Sequence, residues 1–364
     1  MAESKKRVGV LGAGQLAMML AEAGASIGVE VICAGQVGDC AGLVAPLVAV
    51  DLQSAAAVAA FAATVDVVTI ESENIEVDVL GGVNVHPNAR GVGVAQDRLV
   101  EKRFFESCGI AVAPFAPVNS LEDLERAVEI IGLPAILKTR RLGYDGKGQA
   151  RLYTSEDAAT AWEHVGGVPS GVPCILEKML SFETEVSMIA ARGLNGETAF
   201  YPLVENFHRE GILRTSIAPY AKATSALQAL AEKYMSDVLT RLEYVGVLAV
   251  EFFVVGEGLV ANEMAPRVHN SGHWTIEGAE TSQFANHLRA IAGMELGSTA
   301  SVPTVMLNCI GTMPAVEETS QFAKLWRHDY GKDARPGRKV GHLTFPGAEK
   351  DAIAEWQRRL GDGD

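Results

Sequence analysis

The sequence has few cysteines, a deficit of positive charge and no long apolar run, and each shortage excludes a class of protein. The five cysteines (Cys33, Cys40, Cys108, Cys174 and Cys309) show no CxxC spacing, so neither a zinc knuckle nor a disulfide framework is predicted. Lys and Arg number 31 against 45 Asp and Glu, a formal net charge of −14. Generic binding to nucleic acid or to an anionic membrane is therefore not expected, and any anion site must be a local basic cluster.

The apolar runs fall short of a membrane span, and the opening Met-Ala-Glu-Ser-Lys-Lys-Arg leads into a short strand rather than a signal peptide. We therefore expect a cytoplasmic protein without a membrane partner. Its 364 residues, 48% hydrophobic and 21% charged, are enough for two or three packed domains.

The N-terminal region has a strand–helix–strand pattern. Val8–Leu11 is a predicted buried strand, and the glycine-rich turn Gly12–Ala17 (sequence GAGQLA) leads from it into a helix that ends near Ile27. Backbone N–H groups at such a helix N-terminus can receive an anion. The acidic residue of a dinucleotide site is missing after the second strand, Val29–Cys33, because Ala34-Gly35-Gln36 stands there. A tight turn or a substrate-phosphate site is therefore favoured over NAD or FAD.

A further buried strand, Val65–Ile70, ends in the polar residues Glu71, Ser72, Glu73 and Asn74. Ligands of open parallel sheets bind beyond the carboxyl ends of the strands. These residues are therefore candidates for ligand contact, with a solvated loop as the alternative.

Between about residues 110 and 185 the pattern changes to a small α+β unit. Ala135–Thr139 is a predicted strand, and the glycine-rich loop Leu142–Gln149 follows it. Three glycines would let backbone amides approach phosphate oxygens, although Asp145-Gly146 also favours an ordinary hairpin turn. Lys138 lies among apolar residues of the strand, and a buried charge needs an anionic partner. A nucleoside triphosphate between Lys138 and the loop meets both requirements.

Two apolar runs on either side of Gly256-Glu257-Gly258 predict a β-hairpin. Each run carries one carboxylate, Glu251 or Glu263. If the turn centres on Glu257, the two stand directly opposite each other on one face, with Cβ atoms roughly 5 Å apart. Facing like charges destabilise a sheet unless a cation lies between them, and two hard oxygen ligands favour Mg²⁺. The alternative is that one strand is an edge whose Glu faces water.

Two further polar segments follow the hairpin. The segment Lys332–Lys339 places four cations around a proline–glycine turn, which suits a phosphate monoester or an ordinary solvated loop. His269 and His273 are spaced as in a helical zinc site, but Asn270-Ser271-Gly272 between them disfavours a helix, so zinc is not expected. Arg267 and His269 would instead face a substrate.

Taken in order, these segments resemble the ATP-grasp superfamily and, within it, the N5-carboxyaminoimidazole ribonucleotide synthetase family, from about Lys6 to Phe345. The similarity departs at Ala17, where the family commonly has glycine and then arginine, and it gives no expectation for the tail beyond Phe345. The stretches that carry the resemblance are Gly12–Ala17, Gly143–Gln149, Phe200–His208 with Gly211–Ser216, Asn262–Trp274 and Arg335–His342.

The resemblance implies an α/β and α+β fold class. An N-terminal parallel α/β (pre-ATP-grasp) domain over residues 1–109 would precede a two-part ATP-grasp module. That module would consist of a central lid subdomain at 110–185 and a C-terminal domain with the metal and phosphate sites at 186–364. A homodimer is also implied.

The resemblance further implies roles for individual residues. Glu251 and Glu263 would bind Mg²⁺. Gln15 and Glu73 would contact the ribonucleotide, and Lys332 and Arg338 its 5′-phosphate. The bicarbonate and aminoimidazole site would be lined by Tyr144, Asp145, Arg267, His269 and Asn270, with Asp145 or His269 taking the amine proton. ATP would be contacted by Arg98, Lys138, Gly143, Tyr144, Asp145, Gly146, Lys147, Gly148, Gln149, Glu177, Lys178, Met179, Leu180, Glu185, His208, Asn262 and Glu263.

The implied reaction converts aminoimidazole ribonucleotide, ATP and bicarbonate to N5-carboxyaminoimidazole ribonucleotide, ADP and phosphate by way of carboxyphosphate, in purine biosynthesis. Three alternatives are another ATP-grasp ligase such as formate-dependent glycinamide ribonucleotide transformylase, a nicotinamide-dependent oxidoreductase and a non-catalytic nucleotide-binding subunit. Arg335–His342 argues against the first and the missing acid after the second strand against the second. The Glu251/Glu263 pair argues against the third, because a dead site has no reason to keep it.

Overall fold

The chain folds around three β-sheets in a computed structural model that describes residues 5–143, 148–165, 172–347 and 350–361. The strands are β1 (Arg7–Leu11), β2 (Glu30–Gly35), β3 (Leu47–Ala49), β4 (Val67–Ile70), β5 (Phe115–Val118), β6 (Ala135–Thr139), β7 (Gln149–Leu152), β8 (Cys174–Lys178), β9 (Thr184–Arg192), β10 (Thr198–Phe200), β11 (Val204–Arg209), β12 (Ile212–Ala218), β13 (Gly246–Val255), β14 (Gly258–Ala265), β15 (Thr304–Ile310), β16 (Trp326–Asp329) and β17 (Lys339–Pro346). The helices are α1 (Gln15–Ile27), α2 (Ala55–Ala62), α3 (Ala89–Ala95), α4 (Arg98–Ser107), α5 (Leu121–Ile131), α6 (Asp157–Val165), α7 (Ser225–Arg241), α8 (Thr275–Gly278), α9 (Gln283–Ile291), α10 (Val316–Thr319) and α11 (Lys350–Arg359). Within these ranges, none of the helices has the length and apolarity that crossing a membrane requires.

The N-terminal sheet is parallel and has the strand order β3-β2-β1-β4, as the sequence predicted for this part of the chain. Its strands are short and nearly continuous in apolar residues, and Val8, Val10, Ile32 and Ile70 are buried. That composition is typical of a parallel sheet that is covered on both faces.

The second sheet is antiparallel, with the order β5-β8-β6-β7, and α5 and α6 pack against it. The glycine-rich loop joins β6 to β7. Gly143, Gly148 and Gln149 of this loop are described, whereas Tyr144, Asp145, Gly146 and Lys147 lie outside the described residues.

The third sheet has nine strands, in the order β14-β13-β9-β11-β12-β15-β17-β16 with β10 paired to β9. The apolar pattern predicts, from the sequence alone, a single antiparallel strand over Glu197–Phe207, and this prediction is wrong. The structure divides that stretch into β10 and β11 at Tyr201-Pro202-Leu203. Pro202 has no backbone N–H to donate to a neighbouring strand, so the ladder stops there.

Helix α4 connects the N-terminal sheet to the nine-stranded sheet and lies against β14. Phe104 and Phe105 pack into the core of the large sheet. Glu101 accepts the backbone N–H of Met264 (2.7 Å), and Lys102 donates to the carbonyl of Ala261 (3.3 Å). One face of α4 is therefore held directly above the predicted acidic hairpin.

Candidate active site

Glu251 and Glu263 face each other across the β13–β14 hairpin, and the prediction of this contact is confirmed. The predicted geometry of the turn was wrong, because the loop holds two residues, Gly256 and Glu257, and does not centre on Glu257. A two-residue loop alone would set Glu251 opposite residue 262. Instead, Asn262 is an extra residue that bulges from β14 and places Glu263 opposite Glu251.

The two carboxylates have opposite electrostatic environments. Burial and the neighbouring Glu263 raise the pKa of Glu251 to about 7. Burial would also raise the pKa of Glu263, but Arg98, whose Nη1 lies 2.7 Å from Glu263 Oε2, lowers it to about 2. Glu263 is thus paired with a cation of α4, whereas burial and Glu263 itself outweigh the effects of His208 and Lys339 on Glu251. Hard, partly uncompensated oxygen ligands fit a divalent cation such as Mg²⁺.

Polar residues continue across the same face of the large sheet. Glu251 pairs with Ser187 on β9, and Glu185, two residues earlier, pairs with Asn206 on β11. Directly paired residues of antiparallel strands lie on one face, so these side chains share the face of the acid pair. Glu185 Oε2 lies 2.7 Å from His208 Nδ1. Glu185, His208 and Glu251 each bring a potential metal ligand atom within 4.8 Å of the other two.

Lys138, for which the sequence analysis expected a nucleotide phosphate as partner, is paired with a carboxylate of the protein itself. Lys138 Nζ lies 3.1 Å from Glu177 Oε2, and Lys102 Nζ lies 3.3 Å from the same oxygen. Burial would raise the pKa of Glu177, but Lys138 and Lys102 lower it to about 2. Two cations facing one carboxylate leave a net positive charge in this region, which suits a phosphate. Lys102 was not assigned from the sequence, although it lies four residues after Arg98, on the same face of α4.

The segment Glu177–Leu180, which the resemblance assigns to ATP, leaves the second sheet at the end of β8. The N–H of Lys178 donates to Pro114 O (2.8 Å), and the N–H of Met179 donates to Pro134 O (3.1 Å). The backbone N–H of Leu180 has no hydrogen-bond acceptor within the described part of the chain. Leu180 is therefore the amide of this segment that is left for a ligand.

A cleft of about 340 Å³ brings many of the predicted residues together. It is also lined by Glu71 and Lys339, which the sequence offered only as members of polar and basic segments, and by Glu101, Arg140 and Tyr330, which the sequence did not single out. The positions of the last three depend on contacts between distant segments. The predicted residues that line the cleft are Gln15, Glu73, Arg98, Gly143, Glu251, Glu263, Arg267, His269 and Asn270.

Two of the residues predicted to contact the ribonucleotide, Lys332 and Gln15, contact each other. Lys332 Nζ contacts Gln15 Oε1 beside the cleft, which joins the basic segment to the glycine-rich turn. Arg338 instead donates to the carbonyl of Asp333 (3.2 Å) and is not part of the cleft lining. Lys332 does not line the cleft either, but of the two predicted phosphate ligands it is the one that contacts a cleft residue, Gln15.

Arg267 and Glu73 form an ion pair in which Arg267 Nη2 lies 2.9 Å from Glu73 Oε1, and Arg267 Nε contacts the other carboxylate oxygen. The pair connects the loop after β14 to the loop after β4. Asn270 exchanges two amide hydrogen bonds with Asn308, at 3.1 and 2.8 Å. The Asn270 side chain is thus held in place by Asn308 next to the cleft.

His269 is neutral at physiological pH. Burial and the nearby cations Arg267 and Lys339 lower the pKa of its imidazole to about 3. His273 lies apart from it, with its Nδ1 3.3 Å from Gln283 Nε2 and its ring packed 5.0 Å from the ring of His342. The ring of His273 is therefore held by Gln283 and His342.

The glycine-rich turn Gly12–Ala17 is closed by the protein's own carboxylate. The N–H of Gly14 donates to Glu71 Oε1 (2.7 Å) and the N–H of Ala17 to Glu71 Oε2 (3.0 Å). A Cβ atom at Gly12 would lie 2.2 Å from Glu71 Cγ, so the close approach of this carboxylate requires glycine. Glu71 occupies the position at which a dinucleotide would place its pyrophosphate.

Comparisons with known proteins agree with this arrangement. Three family models match consecutive parts of the chain: the ribonucleotide synthetase preATP-grasp domain at residues 5–96, the ATP-grasp domain at 103–284 and the phosphoribosylaminoimidazole carboxylase C-terminal domain at 304–356. The chain is 48% identical over 353 residues to the N5-carboxyaminoimidazole ribonucleotide synthase of Pseudomonas aeruginosa, covering 95% of this chain and 96% of that protein.

Solved structures give the same result. The N5-carboxyaminoimidazole ribonucleotide synthetase of Thermus thermophilus matches with a TM-score of 0.90 and 48% identity over 97% of each chain. The N5-carboxyaminoimidazole synthase of Aspergillus clavatus in complex with ADP and 5-aminoimidazole ribonucleotide matches with a TM-score of 0.89 and 28% identity over 98% of each chain. The chain therefore belongs to the N5-carboxyaminoimidazole ribonucleotide synthase family of ATP-grasp enzymes.

Proposed function

We propose that the chain carboxylates 5-aminoimidazole ribonucleotide with bicarbonate at the expense of ATP, giving N5-carboxyaminoimidazole ribonucleotide, ADP and phosphate. The observation that carries this proposal is the facing pair Glu251 and Glu263 in one cleft with Arg267 and His269. The Aspergillus clavatus relative, solved with ADP and 5-aminoimidazole ribonucleotide, supports the same pair of ligands.

The ATP side of the site combines residues from the second and third sheets. Lys138 and Lys102 would face the phosphates, and the free amide of Leu180 would face adenine. Glu251 and Glu263 would hold Mg²⁺, which when bound offsets the negative charge of the phosphates during transfer. Arg98 holds Glu263 in place and donates to Gly143 O (3.0 Å), so it also connects the hairpin to the glycine-rich loop. Further ATP contacts are assigned to Gly148, Gln149, Glu177, Lys178, Met179, Glu185, His208 and Asn262.

The reaction on the substrate side begins when a bicarbonate oxygen attacks the γ-phosphorus of ATP, which forms carboxyphosphate and releases ADP. Carboxyphosphate then breaks down to CO2 and phosphate, and the exocyclic amine attacks CO2 and loses one proton. Arg267, His269 and Asn270 would hold the carboxyl oxygens, while Lys332 with Gln15 would anchor the ribonucleotide phosphate. Holding both reactants in one cleft converts the encounter of a weak nucleophile with CO2 into an intramolecular step.

Four further expectations belong to this proposal: a requirement for Mg²⁺, a cytoplasmic location, a homodimer, and the division into domains at 109/110 and 185/186. The loop residues Tyr144, Asp145, Gly146 and Lys147 complete the assignment as contacts of ATP and bicarbonate. A loop that covers the site would protect carboxyphosphate from water.

The test is ADP release with 5-aminoimidazole ribonucleotide, bicarbonate and MgATP, omitting each component in turn. We expect full activity only with all components, and formation of the carboxylated product by mass spectrometry. ADP release with glycinamide ribonucleotide and formate, but not with the first set, would assign the chain to a different ATP-grasp activity.

A further inference from the structure

A chain of hydrogen bonds crosses the nine-stranded sheet and ends at His269. Ser216 Oγ donates to Asn206 Oδ1 (2.8 Å), Asn206 Nδ2 donates to Ser187 Oγ (2.9 Å), and Ser187 Oγ donates to Ser271 Oγ (2.7 Å). Ser271 Oγ lies 2.9 Å from His269 Nδ1. The first four residues have no role in the assignment above.

This chain is built into the core. Ser187, Ser216 and Ser271 are fully buried and Asn206 is 4% exposed, so their polar atoms depend on one another for hydrogen bonds. Strand register places them, because Ser187 pairs with Glu251 and Asn206 pairs with Ser216. A buried polar group that loses its partner destabilises the fold, so the four side chains hold one another in place.

The turn that carries Ser271 is pressed against the sheet. A Cβ atom at Gly272 would lie 2.2 Å from Ile189 Cδ1, so glycine is required for this close approach. The backbone of His269 is held on both sides by Gln283, which accepts from His269 N (2.9 Å) and donates to His269 O (2.7 Å). The backbone of His269 is therefore held in place, and its imidazole is held by the contact at Nδ1.

The hydrogen bonds have one direction. The Asn206 amide accepts from Ser216 and donates to Ser187, so the Ser187 proton points to Ser271 and the Ser271 proton points to His269 Nδ1. The backbone N–H of Ser271 also donates to His269 Nδ1 (3.3 Å), and a backbone N–H cannot act as an acceptor. Because the backbone N–H of Ser271 donates to Nδ1, that nitrogen is an acceptor, and the ring proton is on Nε2, which lies 3.6 Å from Glu251 Oε1.

We propose that Ser271, Ser187 and Asn206 are positioning residues that hold His269 in the tautomer with its proton on Nε2. His269 then donates a hydrogen bond to a substrate oxygen in the cleft and does not take the proton of the amine. Of the two candidates for that proton, this leaves Asp145. The inference rests on the proposed function, because it concerns how the carboxyl oxygens of that reaction are held.

The direct test is nitrogen NMR of the full-length protein labelled with ¹⁵N-histidine, with His269 assigned through the His269→Asn variant. We expect His269 to show an unprotonated Nδ1 and a protonated Nε2. A protonated Nδ1 in the active wild-type protein would overturn the proposal.

The kinetic test uses Asn206→Asp and Ser187→Ala. An aspartate keeps the shape of Asn206 but donates no hydrogen bond, so it turns the Ser187 proton away from Ser271. We expect kcat for ADP release to fall about 10-fold in both variants, with an unchanged KM for ATP, because one oriented hydrogen bond is worth about a factor of ten. Ser187→Thr, which keeps the hydroxyl, should restore kcat. Thr215→Val, a buried position on the opposite face of β12, is the matched control and should keep wild-type kcat.

The outcomes separate the two proposals. A wild-type protein that releases no ADP with all substrates present would overturn the proposed function. An active wild type whose Asn206→Asp and Ser187→Ala variants keep both kcat and the His269 signals would overturn the positioning role alone. If Ser187→Ala fails to fold, Asn206→Asp and the wild-type NMR signals still decide the question.

Discussion

The glycine-rich turn at Gly12–Ala17 and the acidic hairpin of Glu251 and Glu263 both look like ligand sites in the sequence, but the structure shows that they differ. At the turn, the helix N-terminal amides are satisfied by Glu71, an anion of the protein itself. At the hairpin, two carboxylates face each other; Arg98 pairs with Glu263, while burial and Glu263 raise the pKa of Glu251. The fold therefore supplies an anion for the turn, whereas at the hairpin it opposes two like charges.

The strongest test of this comparison is to remove the Glu251 carboxylate from the facing pair. Glu251→Gln keeps the side-chain shape but removes a charged metal ligand, so we expect kcat for ADP release to fall by about 10³-fold. The matched control is Glu257→Gln in the exposed loop of the same hairpin, which should retain activity. Full activity of Glu251→Gln would show that the facing pair does not hold the metal.

The raised pKa of Glu251 also predicts that the stability of the fold depends on pH. The pKa of Glu251 is raised from 4.5 to about 7 in the folded protein, so its protonation stabilises the fold below pH 4.5. That contribution is lost as the pH rises through 7. Between these limits the free energy of unfolding of the wild type should fall by about 2–3 kcal/mol relative to Glu251→Gln.

Urea titrations of both proteins in EDTA would measure this difference. Added Mg²⁺ should reduce it at pH 8, because the metal binds the ionised carboxylate of the folded state only. A difference that does not change with pH would contradict the assignment of the raised pKa to Glu251.

Removing Glu71, the carboxylate that accepts hydrogen bonds from the turn, should have a smaller effect, which we expect on stability. Glu71→Ala leaves the N–H groups of Gly14 and Ala17 without their carboxylate, so we expect the free energy of unfolding to fall by about 1–2 kcal/mol. The control is Glu76→Ala, an exposed position in the following loop, which should leave stability nearly unchanged. Equal stability of the two variants would show that Glu71 does not hold the turn.

The last prediction is that NADH does not bind at the turn. Because Glu71 occupies the anion position of the turn, NADH should show no change in fluorescence when it is mixed with the wild-type protein. A saturable change that Glu71→Ala strengthens would show that the turn is a dinucleotide site closed only by a competing side chain.

Local patterns were sufficient for some strands and for the presence of the acidic hairpin. The strand Ala135–Thr139 has the predicted limits, but the contact of Glu251 with Glu263 also depends on the bulge at Asn262, which the sequence analysis did not predict. The break at Pro202 was also visible in the sequence, since proline disrupts a strand interior.

Contacts between distant segments were not predictable in the same way. Nothing in the sequence connects Glu71 with Gly14, or Lys102 with Glu177, because these pairs depend on how sheets and helices pack. The chain from Ser216 to His269 also needs the register of three neighbouring strands, which single residues such as Ser187 do not reveal.

The bulge at Asn262 has a consequence for insertions and deletions in this family. Deleting Asn262 would leave a regular two-residue hairpin in which the Glu251 and Glu263 carboxylates are still directly opposed. The inserted residue therefore does not create the acid pair; it adds one more polar side chain next to it. A homologous chain one residue shorter at this point would keep the facing acid pair and, under the function proposed above, would present one group fewer to the nucleotide.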